Sequence, residues 1–233
     1  MIVAIVLANQ PGPVSEKYFE ATGDESVIER VTGTVLRGPF GGTLVAAHPT
    51  LAEDVQEALA GFAVQHVDVR SIPTTSSDSH AVLISALFAA EAFRTRWAKA
   101  MAAATGRFES AGGKNTGEAA LDPKGEWSKL KKSSDVKIRG LARSFDRDGV
   151  LIIPADCASI QKEQLAQMVE TFAREGQQPN AKPFVQAITS GERGWPVMLS
   201  LDGAREIAAL PPSCDFSAWL LKNIEKVCDV KLN

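Results

Sequence analysis

Hydrophobic and polar positions along the chain follow two periods in turn, and the order of their alternation predicts strands joined by helices. Residues 2–7 are apolar throughout, the pattern of a central strand covered on both faces. Ser26 then precedes Val27, Ile28, Val31, Val35 and Leu36 at helical spacing, which reads as a capped amphipathic helix. A strand over 42–47, a helix over 51–62 with Leu51, Val55 and Leu59 on one face, and a strand over 64–69 complete two strand-helix-strand steps. Ser76, Ser77, Asp78 and Ser79 cap a long helix through Ala81, Leu83, Leu87, Ala90 and Phe93.

The pattern stops at Arg96 and returns at Gly149. In between lie Gly106, Gly112, Gly113, Gly117, Pro123 and Gly125, then a basic cluster of Lys129, Lys131, Lys132, Lys137, Arg139 and Arg143. Residues 96–146 therefore read as an insertion whose Ala-rich start extends the preceding helix. A lid over an anionic ligand is one use for these charges; a solvated surface excursion, the commoner state of Lys-rich faces, is the other. After it come a strand ending at Pro154, a helix over 162–175, a strand over 183–188, a Gly-rich turn at 191–194 and an extended segment over 196–200. Helices over 202–210 and 216–227 and a last strand over 228–232 close the chain. This succession predicts an α/β fold, a three-layer α/β/α Rossmann-like and mostly parallel sheet with right-handed crossovers, as one domain over 1–233 carrying the insertion.

Composition narrows the classes. With 233 residues and 45% hydrophobic content the chain can fill a sizeable core. A net charge of −3 with mixed signs gives no broad attraction to nucleic acid or anionic membrane, so neither is expected as a partner. Cys157, Cys214 and Cys228 are widely spaced, and no charged-then-apolar export signal opens the sequence, which together predict a reducing cytoplasm. The apolar run at 1–8 is far shorter than the roughly 20 residues a bilayer span needs.

The chemistry concentrates at Asp148-Gly-Val-Leu-Ile-Ile-Pro-Ala-Asp156, where a buried strand breaks at Pro154 and presents a carboxylate. In open α/β sheets ligands sit beyond the carboxyl ends of the strands, so Asp156 is a candidate metal ligand; its other reading is a cap for the helix beginning near Gln161. Gly112-Gly-Lys-Asn-Thr116 resembles part of a phosphate loop but lacks the leading glycine and a preceding strand. His48, His66 and His80 have no metal-ligand spacing and read as structural or surface residues, and Cys157 as a small buried thiol.

Val3-Ala-Ile-Val-Leu-Ala8, Val27-Ile-Glu-Arg-Val31, Ser76-Ser-Asp-Ser79, Gly149 to Asp156 and Gly194-Trp-Pro-Val197 occur in the order found in the MobA-like NTP transferases, which the chain resembles outside the insertion. The family comprises the molybdenum cofactor guanylyl- and cytidylyltransferases. The resemblance implies a nucleotide-diphospho-sugar transferase fold and, with Mg²⁺, transfer of a nucleotidyl group from GTP or CTP to a small phosphorylated acceptor of molybdopterin type, with release of pyrophosphate. It makes Asp156 the metal-binding and catalytic aspartate, and places Leu7, Ala8, Gly12 and Lys17 at the nucleotide. Ser76, Ser77, Ser79, Gly194 and Trp195 fall at the substrate, with the serines equally readable as caps.

Three departures stand against it. Where the family has a loop of the form Leu-Ala-Ala-Gly-x-Ser-x-Arg-Met-Gly-x-x-Lys, this chain has Leu7-Ala-Asn-Gln-Pro-Gly-Pro-Val-Ser-Glu-Lys17, with one glycine, no arginine, two prolines that remove backbone donors, and an early lysine. A charge-assisted hydrogen bond to a phosphate oxygen contributes about 1.5–3 kcal/mol, so a loop without these donors holds a triphosphate far more weakly. The family's Asp-x-Asp-Thr-Pro segment is also missing before Asn233, and Trp195 replaces the usual histidine. A non-catalytic relative, acting as a ligand-binding or protein-interaction module, is the alternative reading.

Overall fold

Strand β1 (Ile2–Ala8) is buried along its whole length, and its alternate residues divide the interior in two. Ile2, Ala4, Val6 and Ala8 join a layer with Ile28, Val31, Val55, Leu165 and Phe172, while Val3, Ile5 and Leu7 join another with Leu83, Leu87, Ile207 and Phe216. Each fully buried Ile or Val contributes about 1.5–3 kcal/mol, so a strand apolar on both faces must lie in the middle of a sandwich. The computed structural model describes residues 1–10, 12–67, 79–110, 147–211 and 213–232.

The elements that follow are α1 (Pro13–Phe19), a small hairpin of β2 (Ala21–Thr22) and β3 (Glu25–Ser26), α2 (Val27–Leu36), β4 (Gly42–Ala47), α3 (Ala52–Ala58), β5 (Gln65–His66) and α4 (Ser79–Ser110). Then come β6 (Gly149–Pro154), α5 (Lys162–Glu175), β7 (Phe184–Thr189), β8 (Glu192–Ser200), α6 (Leu201–Ala208), α7 (Phe216–Lys222) and β9 (Val227–Lys231). Seven strands form one sheet in the order β5-β4-β1-β6-β8-β7-β9. β5, β4, β1 and β6 are parallel; β8 runs against both β6 and β7, and β9 is parallel to β7. The expected three-layer, mostly parallel sheet is what forms.

Local chemistry explains the boundaries. Ser26 caps α2 in a reciprocal box, its backbone N–H donating to Glu29 Oε2 at 2.7 Å while its hydroxyl accepts from the Glu29 N–H. The helix expected over 51–62 is shorter, because Pro49 opens a 3-10 turn (Pro49–Leu51) and the chain turns after Ala58. The strand expected over 64–69 is described only as Gln65–His66, and 68–78 lie outside the described residues. The helix expected over 216–227 ends at Lys222, where Asn223 breaks it, and Val227 is already in β9. α4 continues through the first part of the expected insertion; Gly112 to Thr116 and the basic cluster from Lys129 to Arg143 lie outside the described residues.

β7 and β8 meet across Ser190-Gly191, both with positive φ (55° and 85°), the two-residue turn whose twist matches paired strands. Gln186 pairs with Val197 but the next residue, Ala187, pairs with Gly194, so Trp195 and Pro196 bulge from β8 without partners on β7. Gln186 Nε2 donates to Gly194 O at 3.2 Å and pins the bulge.

Candidate functional site

The carboxyl ends of β1 and β6 open into a cleft of about 420 Å³. β1 runs out into Leu7, Asn9 and Gln10, and β6 into Pro154 and Asp156. Tyr18 of α1 and His80 and Leu83 from the first turns of α4 form further wall, and residues 213–217 at the start of α7 complete it. Trp195 enters from the β8 bulge, as bulges beside ligand sites re-aim side chains; its ring packs on Phe216 at 5.7 Å between centroids.

Asp156 is held by its backbone. The Ala155 N–H donates to Leu7 O at 3.0 Å and extends the β1–β6 ladder, and the Ala158 N–H donates to Asp156 O at 2.8 Å in the turn that follows. The side chain is exposed to the cleft, and no hydrogen bond or ion pair from a described residue engages its carboxylate. It does not cap α5: the N-cap is Gln161, whose N–H donates to Gln164 Oε1 at 2.9 Å. The capping reading of Asp156 is therefore not what is observed.

The surrounding groups are tuned by burial. Tyr18 is almost fully buried, and desolvation first, with the Asp156 charge as a smaller cause, pushes its hydroxyl up to about 12, leaving it a neutral donor. Burial, with Asp156 next door, likewise pushes the Cys157 thiol up to about 12, so it is not a nucleophile at neutral pH. Asp215 lines the cleft while its Oδ1 accepts from the N–H groups of Ser217 (2.8 Å) and Ala218 (3.1 Å). His80 is 5% exposed, and neither ring nitrogen makes a hydrogen bond with a described residue. Desolvation lowers its pKa, against the Ile207 backbone and the Asp215 charge, which favour the cation without reaching bonding geometry. Each orphaned buried polar atom costs about 1–3 kcal/mol.

Of the residues expected at the site, the cleft brings together Leu7, Asp156 and Trp195. Ala8 is buried in the core, where its carbonyl accepts from the His48 N–H at 2.8 Å. Gly12 and Lys17 are exposed at the start and on the flank of α1, outside the lining, since Pro13 opens a helix where the resemblance implied a phosphate loop. Gly194 also lies outside the lining, and a Cβ there would meet no atom of a described residue within 4 Å. Ser76 and Ser77 lie outside the described residues, and Ser79 opens α4.

No protein-family model matches the chain, and no curated protein matches its sequence. Solved structures do match. A structure of Rv0371c from Mycobacterium tuberculosis in complex with manganese aligns over 99% of this chain and 87% of its own at 16% identity, with a TM-score of 0.56. A nucleotidyl transferase from Methanothermobacter aligns over 100% and 88% at 15% identity and TM-score 0.58. A cytidylyltransferase from Leptospira borgpetersenii aligns over 100% and 75% at 11% identity and TM-score 0.56. The fold is that of the nucleotide-diphospho-sugar transferases.

The donor chemistry of the cleft suits a hard divalent cation. Asp156 and Asp215 supply carboxylates, and Asn9 and Gln10 carry amide oxygens, with no Lys or Arg among the described lining residues. No group of three or more His, Cys, Asp or Glu converges among the described residues. A cation here would thus take one or two carboxylates and fill its shell from water and phosphate oxygens, the arrangement Mg²⁺ favours. A second hollow, of about 190 Å³, lies at the other end of the sheet beside Val3 and Gly149; its lining is mostly apolar and its charges are paired, Arg205 with Glu91 at 3.1 Å and Arg94 with Asp148 at 2.7 Å. Asp215, His80 and Tyr18 were not expected at the site. The sequence cue for Asp215 was its position before the periodic run at 216, and a lone His or Tyr carries no spacing signal.

Proposed function

We propose that the protein is a divalent-metal-dependent nucleotidyltransferase that moves a nucleotidyl group from CTP or GTP to a small phosphorylated acceptor, a molybdopterin-type molecule or a sugar phosphate. The acceptor oxygen forms a bond to the α-phosphorus as the α–β phosphoanhydride bond breaks, and pyrophosphate leaves. The observation that carries this reading is Asp156, a carboxylate that no described residue engages, at the end of a central strand, on the rim where this fold binds ligands. A bound Mg²⁺ or Mn²⁺ would offset the triphosphate charge. Asp156 would hold it, the neutral Tyr18 hydroxyl would donate to an anionic oxygen, and the Trp195–Phe216 pair would offer an apolar face to a planar ring. Three free thiols and the absence of a membrane-crossing helix among the described residues accord with our placing it in the cytoplasm.

One observation favours a second reading, a relative that keeps the fold without turnover: the described lining holds no Lys or Arg, and Lys17 sits outside it. Calorimetric titration with GTP, CTP, ATP and UTP, with and without Mg²⁺ or Mn²⁺, separates the two. The transferase reading expects base-selective, metal-dependent binding that Asp156→Asn weakens by at least about tenfold, or about 1.4 kcal/mol. Absence of binding across the set leaves the non-catalytic module.

A further inference from the structure

Among the polar side chains of the cleft that the proposed reaction leaves unused, His80 is the most deeply buried. His80 is 5% exposed, lines the cleft from the first turn of α4, and has no hydrogen-bond partner at Nδ1 or Nε2 among the described residues. Buried polar groups without partners are few in folded proteins, and a ring so placed inside a ligand cleft is a ready contact for what binds there. Its neighbours restrict what that can be. Desolvation keeps the imidazole neutral, so it presents one donor and one acceptor and no charge. The nearby Asp215 carboxylate would repel a phosphate oxygen, which in any case needs the cation at Asp156. The matching group is uncharged and both donates and accepts. In a bound nucleotide that describes the nucleoside part, through a sugar hydroxyl or the polar edge of the base.

We propose that His80 is a specificity contact for the nucleoside moiety, hydrogen-bonding a sugar hydroxyl or base edge on the α4 wall of the cleft, and that it destabilises the ligand-free protein in keeping that position. The assignment rests on the nucleotidyltransferase reading. Its two parts make opposite demands on one substitution. His80→Leu fills a similar volume with apolar atoms, so it removes an orphaned polar group and raises the melting temperature, while it deletes the hydrogen bond to the nucleoside and weakens binding.

The test measures the melting temperature without ligand and calorimetric affinities for CTP, GTP, their 2′-deoxy and 3′-deoxy forms and inorganic tripolyphosphate, each with Mn²⁺, for wild type, His80→Leu and His80→Asn. The expected result is a higher melting temperature for His80→Leu, about tenfold weaker binding of the preferred nucleotide, unchanged tripolyphosphate binding, and partial recovery in His80→Asn, whose amide again donates and accepts. A deoxy form that binds wild type and His80→Leu equally identifies the sugar hydroxyl as the group read; if both deoxy forms remain sensitive, the base edge is read. Nucleotide binding unaltered in both variants, a lowered melting temperature in His80→Leu, or an equal loss of tripolyphosphate binding overturns the assignment and leaves the transferase reading intact. A wild-type protein that binds none of the nucleotides overturns both.

Discussion

At the residue scale, what separated the legible site residues from the others was whether chain order alone places them. Asp156 follows a strand apolar on both faces and ends at the sheet's carboxyl edge, so its position follows from the sequence. His80 does not: an isolated histidine on a helical run looks the same whether it faces core or cleft, and only the packing of α4 against the end of β1 settles it. Asp215 was hidden for a different reason, because an aspartate before a short helix is the ordinary cap, and it is that too. Burial lowers the pKa of both His66 and His80 from the ordinary 6.5. The unfolded chain therefore takes up protons more readily than the folded one, so their contribution is fully present above about pH 6.5 and is lost as the pH falls below it. Urea midpoints at pH 7.5 and 5.5 should show the lower value at 5.5, with a smaller drop in His80→Leu; equal midpoints at the two pH values would refute this.

At the element scale, β6 aims Asp156, and its first residue decides whether it can. Gly149 has no room for a side chain: a Cβ there would lie 2.6 Å from Phe172 Cζ and 2.7 Å from the Leu199 carbonyl oxygen. The ring is fixed in turn, fully buried and covered by the Arg147 guanidinium at 4.3 Å from its centroid. Neither neighbour can yield cheaply, so Gly149→Ala should cost about 1–3 kcal/mol, read as a lower urea midpoint. Because β6 pairs with β1 through the same stretch, nucleotide affinity should fall with it, and a variant of full stability would show that Phe172 repacks freely. The pattern of strand and helix was readable here because β6 and α5 are long and periodic. α1 escaped because Pro11 and Pro13 look like loop residues, although Pro13 occupies the first helical position, where a missing N–H costs nothing.

For the whole molecule, alternation of strands and helices was enough to anticipate three layers and a mostly parallel sheet. The reversal of β8 was not, since a strand's hydrophobic pattern reads the same in either direction; only the tight Ser190-Gly191 turn betrays it. That reversal brings the beginning of β8, where its neighbours β6 and β7 bring their ends, to the rim that carries the cleft. The bulge there has an arithmetic consequence. It adds a pair of residues, Trp195 and Pro196, between Gly194 and Val197, and an even insertion leaves the inward and outward alternation in phase on either side. The segment is thus a detachable cassette: excising both residues should close β8 onto β7 in frame, leaving a folded sheet with a rim short of one aromatic ring, whereas excising either alone would turn half a strand inside out.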